Sequence, residues 1–145
     1  LRLFIDKENS NNFPNLTNVI KELQKKDIYQ KISEYIGKDL SNSFVRLEII
    51  ADKKGFWLKP HKDIAEKLMT MMIWANPYSE STNLGTDLYN DKFELVKTIK
   101  YIDNTGYFFS SGEDTWHGLE KKQIKKERRC IQINYVSFKT EWPVD

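Results

Sequence analysis

The run Arg128-Arg129-Cys130-Ile131-Gln132-Ile133-Asn134-Tyr135-Val136 constrains this chain more than any other stretch. Read with period two, Arg128, Cys130, Gln132 and Asn134 share one face of a strand, and Arg129, Ile131, Ile133 and Tyr135 share the other. The second face is apolar and needs a covering layer. The first is polar and ends in an arginine, which suits a core strand only where that face lines a wet pocket. The alternation puts Arg128 rather than Arg129 in the pocket, because the opposite choice would turn the isoleucines toward water.

A covering layer is available upstream. Leu16, Val19, Ile20 and Leu23, then Ile28, Ile32, Tyr35 and Ile36, recur at helical spacing with Lys, Glu and Gln between them. This predicts two short helices or one bent helix, capped by Asn15 or Thr17 and stopped by Gly37. After residue 43 the texture changes to short apolar-aromatic runs: Phe44 to Ile50, Met69 to Ala75, Thr105 to Phe109 and Cys130 to Phe138. Turn-rich stretches separate them, among them Asp52-Lys53-Lys54-Gly55 and Asn76-Pro77-Tyr78-Ser79. An aromatic fraction of 13% agrees with sheet. The expectation is one mostly β domain over residues 1–145, with about 1–43 as helical support and 44–138 as a sandwich or barrel carrying the helices on one face.

Lys and Arg number 23 against 21 Asp and Glu, mixed along the chain. This balance argues against a nucleic-acid partner. The single cysteine, Cys130, excludes an internal disulfide and points to a reducing, cytoplasmic setting. No apolar run approaches the roughly 20 residues of a membrane helix, and the first residues do not read as a signal peptide.

Histidine is scarce, with two in the whole chain, so any histidine chemistry must use His61 and His117. In Lys59-Pro60-His61-Lys62-Asp63, residues 61 and 63 point to one side if the segment is extended. His117 follows 54 positions after Asp63, in Asp114-Thr115-Trp116-His117-Gly118. Two imidazoles and one carboxylate are the ligand count of the facial triad that holds Fe(II) and leaves about three positions open.

Taken together, these blocks resemble the iron(II)/2-oxoglutarate-dependent oxygenases, in their prolyl-4-hydroxylase-like branch. The resemblance runs from about Phe44 to Phe138. It rests on Gly55-Phe56-Trp57-Leu58-Lys59-Pro60-His61-Lys62-Asp63, Leu68 to Asn76, Gly85-Thr86-Asp87-Leu88-Tyr89, Trp116-His117-Gly118-Leu119 and Arg128-Arg129-Cys130-Ile131. It implies a double-stranded β-helix, a jelly-roll related to the cupins, with the helices on the larger sheet. It implies His61, Asp63 and His117 as the catalytic metal ligands, and Arg128 as the residue that grips the far carboxylate of 2-oxoglutarate. Trp74 stands where the family often supplies a tyrosine to that cosubstrate; an indole can stack or donate one hydrogen bond. Met72, Leu88 and Leu119 match apolar pocket positions.

The implied activity is hydroxylation of an unactivated C–H using Fe(II), 2-oxoglutarate and O2, with release of succinate and CO2. Asp63 favours hydroxylation over halogenation, since Gly or Ala there would free a metal position for halide. A prolyl residue, a free amino acid or another small metabolite could be the substrate. The polar segments Tyr78 to Asn83 and Asp6 to Pro14 are candidate pocket rims. The alternative from another class is a non-catalytic metal-binding jelly-roll, ligand-sensing or cupin-like. Cupin sites usually use three histidines and a glutamate, which two histidines cannot supply.

Overall fold

The computed structural model describes residues 1–144. In chain order it contains β1 (Arg2–Phe4), α1 (Pro14–Leu23), α2 (Lys26–Ile36), β2 (Phe44–Asp52), β3 (Leu58–His61), β4 (Lys67–Ala75), β5 (Thr86–Tyr89), β6 (Leu95–Ile99), β7 (Gly106–Phe109), β8 (His117–Leu119) and β9 (Arg128–Val136). Two antiparallel sheets result, one ordered β1-β2-β9-β4-β7 and the other β3-β8-β5-β6. The alternating strand β9 is the centre of the larger sheet, paired along its whole length with β2 and β4.

Its apolar face is covered as the alternation requires. Ile133 and Tyr135 are buried with Val45, Leu47 and Met69 against Ile20 and Leu23 of α1 and Tyr29 of α2. Tyr135 donates a hydrogen bond from its hydroxyl to Leu23 O at 2.5 Å, so even the polar tip of this buried ring is satisfied. The helices therefore pack on the outer face of the larger sheet, and its inner face looks at the smaller one.

Gly37 closes α2 in the left-handed conformation (φ +68°), its N–H bonded to Ser33 O, as expected. Neither expected cap of α1 is used. The helix starts earlier, with Pro14 in its first turn, where a missing N–H costs nothing. Thr17 lies inside the helix, and its hydroxyl binds the carbonyls of Phe13 and Ser10. The four long runs after residue 43 are strands, with bounds shifted by at most two residues. The short strands β1, β3, β5, β6 and β8 are additions: three to five residues give too few alternations to read, and their hydrogen bonds come from distant partners.

One glycine sets the spacing of the smaller sheet. A Cβ on Gly118 would lie 2.6 Å from Leu58 O and 3.0 Å from Lys59 O, both backbone atoms of the strand paired with β8. Gly118→Ala is therefore expected to push β3 off β8. The predicted cost is about 1–3 kcal/mol in denaturant unfolding. Because the two histidines ride on these strands, metal affinity measured by titration should fall about tenfold or more.

Candidate metal centre

His61, the last residue of β3, is the register partner of His117, the first of β8. The two rings lie 4.4 Å apart between centroids. Asp63 follows two residues beyond His61, and one ligand atom from each of His61, Asp63 and His117 falls within 4.8 Å of the others. His117 Nε2 is 3.5 Å from Asp63 Oδ1. These three residues are the one such cluster among the described residues.

Neighbouring groups orient all three. His61 Nδ1 lies 2.9 Å from Lys59 O, and His117 Nδ1 lies 2.9 Å from Thr115 O. A carbonyl oxygen only accepts, so each Nδ1 carries the proton and each Nε2 keeps a lone pair for a cation. Thr70 donates from its hydroxyl to Asp63 Oδ2 at 2.7 Å, which leaves Oδ1 on the side of His117. Burial works to raise the Asp63 carboxyl, but the adjacent His117 ring, the Thr70 hydroxyl and the charge of Lys67 outweigh it and hold the group well below the usual carboxylate range. A buried anion beside two oriented imidazoles is a donor set that fits a divalent first-row metal.

The triad opens into a cavity of about 240 Å³ between the two sheets. Its apolar walls include Ile50, Met72, Phe109 and Leu119. Phe109 meets the His117 ring edge-on at 5.1 Å. Gln132 and Arg128 from the polar face of β9 line it too, in agreement with the alternation. Arg128 is buried. Its Nε donates to Leu84 O at 2.5 Å, one terminal nitrogen to Asp52 Oδ2 at 2.7 Å and the other to Gly85 O at 2.8 Å. Three of its five N–H groups are thus engaged, and two remain. The start of β9 is anchored by Glu80, whose carboxylate accepts from the backbone N–H groups of Lys125, Lys126 and Glu127.

Trp74 is brought to Arg128 but not to the cavity wall. Its ring lies behind the guanidinium, 5.0 Å from it, and its indole Nε1 is buried without a partner. The β4 alternation puts Trp74 on the inner face, yet at the level where Tyr101 and Tyr107 close over it. Tyr107 holds the cavity position instead. Burial pushes its hydroxyl up to about 12, so it stays a neutral donor, here to Thr86 Oγ1 at 2.7 Å. Leu88 lines a separate apolar cleft behind His117, with Trp116, Phe108 and Val96. The expected rims, Tyr78 to Asn83 and Asp6 to Pro14, do not line the cavity; Arg2 and Phe56 do. Cys130 is buried in the neighbouring core and burial pushes its thiol up to about 11, so it is a protonated packing group.

Sequence reading missed Thr70, Tyr107, Asp52 and Arg46 as cavity groups or their supports. The signal for several was present: Arg46, Glu48 and Asp52 alternate with Val45, Leu47 and Ile49 in β2 just as the polar residues do in β9.

Comparison with family models and with curated proteins finds no match. Solved structures do match. A prolyl 4-hydroxylase from Phytophthora capsici superposes with a TM-score of 0.71 at 15% identity, over 98% of this chain and 49% of that one. A 2OG-Fe(II) oxygenase family protein from Burkholderia pseudomallei gives 0.61 at 13% identity, over 94% and 67%. A prolyl hydroxylase from Trichoplax adhaerens, in complex with a hypoxia inducible factor peptide fragment, gives 0.60 at 18%, over 94% and 62%. The chain spans about half the length of the Phytophthora protein. In fold, the chain is similar throughout to the iron(II)/2-oxoglutarate-dependent oxygenases on their prolyl 4-hydroxylase side.

Proposed function

We propose that the two sheets are the halves of a double-stranded β-helix and that the protein is an Fe(II)/2-oxoglutarate-dependent hydroxylase. The observation that carries this reading is the triad His61, Asp63 and His117, with one ligand atom of each within 4.8 Å of the others and both Nδ1 atoms already engaged by backbone carbonyls. When bound, iron and the 2-oxo acid supply the oxidising power: a C–H, O2 and 2-oxoglutarate become a C–OH, succinate and CO2.

The chain's own residues do the positioning. His61, Asp63 and His117 hold the metal from one side. Arg128 is the anchor for the far carboxylate of the cosubstrate, through the two N–H groups that Asp52, Leu84 and Gly85 leave free. Asp52 cancels most of its charge, so this anchor works by directed hydrogen bonds more than by net attraction. The Tyr107 and Thr86 hydroxyls line the same cavity. Met72, Phe109 and Leu119 keep bulk water off the reacting carbon.

The test is anaerobic titration of the protein with Fe(II) and 2-oxoglutarate, read by the weak visible charge-transfer band of a chelated 2-oxo acid. The band should form in the wild type, vanish in His117→Ala and need a higher 2-oxoglutarate concentration in Arg128→Gln. A folded, metal-loaded wild type without the band would leave a non-catalytic metal-binding jelly-roll.

A further inference from the structure

The cavity holds a second guanidinium, at the other end of β9 from Arg128. Arg46, in β2, is the register partner of Asn134. Its guanidinium lies between the rings of Phe4 and Phe138, 5.1 and 5.3 Å from their centroids. One terminal nitrogen donates to Asn134 Oδ1 at 3.2 Å, while Nε is buried and has no partner. Two aromatic faces fix the plane of the fork and leave its edge as the free hydrogen-bonding surface. A buried N–H without an acceptor, in a planar cation that lines a cavity, calls for a carboxylate.

Two residues further along the same face stands Glu48, which is buried and also lines the cavity. Among the described residues its one ion pair is with Arg2, at 3.9 Å, and its carboxylate makes no hydrogen bond. Arg46 and Arg2 offset its charge from a distance, but neither hydrogen-bonds it, so the Glu48 oxygens stay open to a donor such as an ammonium. Residues i and i+2 of a strand lie about 6–7 Å apart, within reach of one small molecule bearing both charges.

This pair is coupled to the metal centre. Arg46 donates to Asn134, Asn134 donates from Nδ2 to Thr70 Oγ1 at 2.9 Å, and Thr70 donates to Asp63 at 2.7 Å. Three hydrogen bonds, all pointing one way, join the guanidinium to a metal ligand. Arg128 is six residues away along β9, about 20 Å of strand. Arg2, the third guanidinium of the cavity, faces Glu48 and Asp52, which leaves Arg128 for the cosubstrate and Arg46 as a further carboxylate anchor.

Resting on the hydroxylase reading, we infer that the substrate is a free amino acid, its carboxylate held by Arg46 and its ammonium by Glu48. An internal prolyl residue of a peptide has neither charge. A cavity of about 240 Å³ also lies below the roughly 300 Å³ at which drug-sized pockets begin.

The experiment begins with wild-type protein loaded with Fe(II) and 2-oxoglutarate without oxygen. Proteinogenic L-amino acids, their amides, their N-acetyl derivatives and prolyl peptides are added singly. The charge-transfer band and the melting temperature are both followed. At least one free amino acid should shift both, with at least tenfold tighter binding than its amide or its N-acetyl form. Arg46→Gln should keep the 2-oxoglutarate band and lose the amino-acid response at least tenfold, with partial rescue in Arg46→Lys. Glu48→Gln should remove the preference for the free amine over the N-acetyl form. Equal binding of acid and amide by the wild type, or response to peptides alone, overturns the inference without any variant. Absence of the band overturns the hydroxylase reading instead. In that case an amino-acid melting shift that Arg46→Gln abolishes still supports the anchor, and no shift at all overturns both.

Discussion

Asp63→Ala is expected to bring substrate-coupled succinate release down to background while the protein stays folded by circular dichroism. Asp63 supplies the single negative charge of the triad, and no other carboxylate stands within the ligand cluster to replace it. Thr70→Val gives the graded counterpart. It keeps all three ligands but removes the hydroxyl that occupies Asp63 Oδ2 and so chooses which oxygen faces the metal. Metal affinity should fall about 10–100-fold, the usual effect of removing a group that orients a ligand. Metal titration by calorimetry separates the two: little binding in Asp63→Ala, weakened binding in Thr70→Val. Wild-type turnover in Asp63→Ala would remove this residue from the triad.

Asp87→Ala is expected to be the most destabilising single change outside the apolar core. Asp87 in β5 is fully buried and accepts from Lys122 Nζ at 2.7 Å, Thr98 Oγ1 at 2.7 Å and the Glu120 backbone N–H at 2.8 Å. Truncation leaves a largely buried ammonium and a backbone N–H without their acceptor. Breaking a buried pair in this way costs about 3–5 kcal/mol. At roughly 3 °C per kcal/mol for a domain of this size, the melting temperature should drop about 10–15 °C. The loss should reach the metal centre, because Asp87 is the register partner of Gly118 and Leu88 that of His117. A Tm within a few degrees of wild type would show that the buried pair contributes little net stability.

The hydrogen-bond chain from Arg46 through Asn134 and Thr70 to Asp63 crosses β2, β9 and β4 before it meets the loop after β3. Two of its three links join segments 88 and 64 residues apart, and only the last, over 7 residues, is short-range. The period-two pattern tells which face of each strand a residue occupies. It does not tell which strand lies beside it, so Asn134 was legible as inward-facing and illegible as the partner of Arg46. The same holds for Arg128. Its place on the polar face followed from the alternation, while its ion pair with Asp52 depended on the β2–β9 register. Trp74 shows the limit from another side: alternation put it inward, but its depth along β4 was set by Tyr101 and Tyr107 closing around it.

What the sequence by itself determined is chemical identity and facing. With two histidines in the chain, any imidazole ligand had to be His61 or His117, and nine alternating residues of β9 dictated one apolar and one polar face. What only the tertiary structure decided is adjacency. The pairing of β3 with β8 sets His61 opposite His117, and the pairing of β2, β9 and β4 brings the guanidinium groups of Arg46 and Arg128 to one cavity. The physical reason is that strand hydrogen bonds are made with distant segments, so register is a property of the assembled sheet, whereas side-chain alternation is a property of each strand alone.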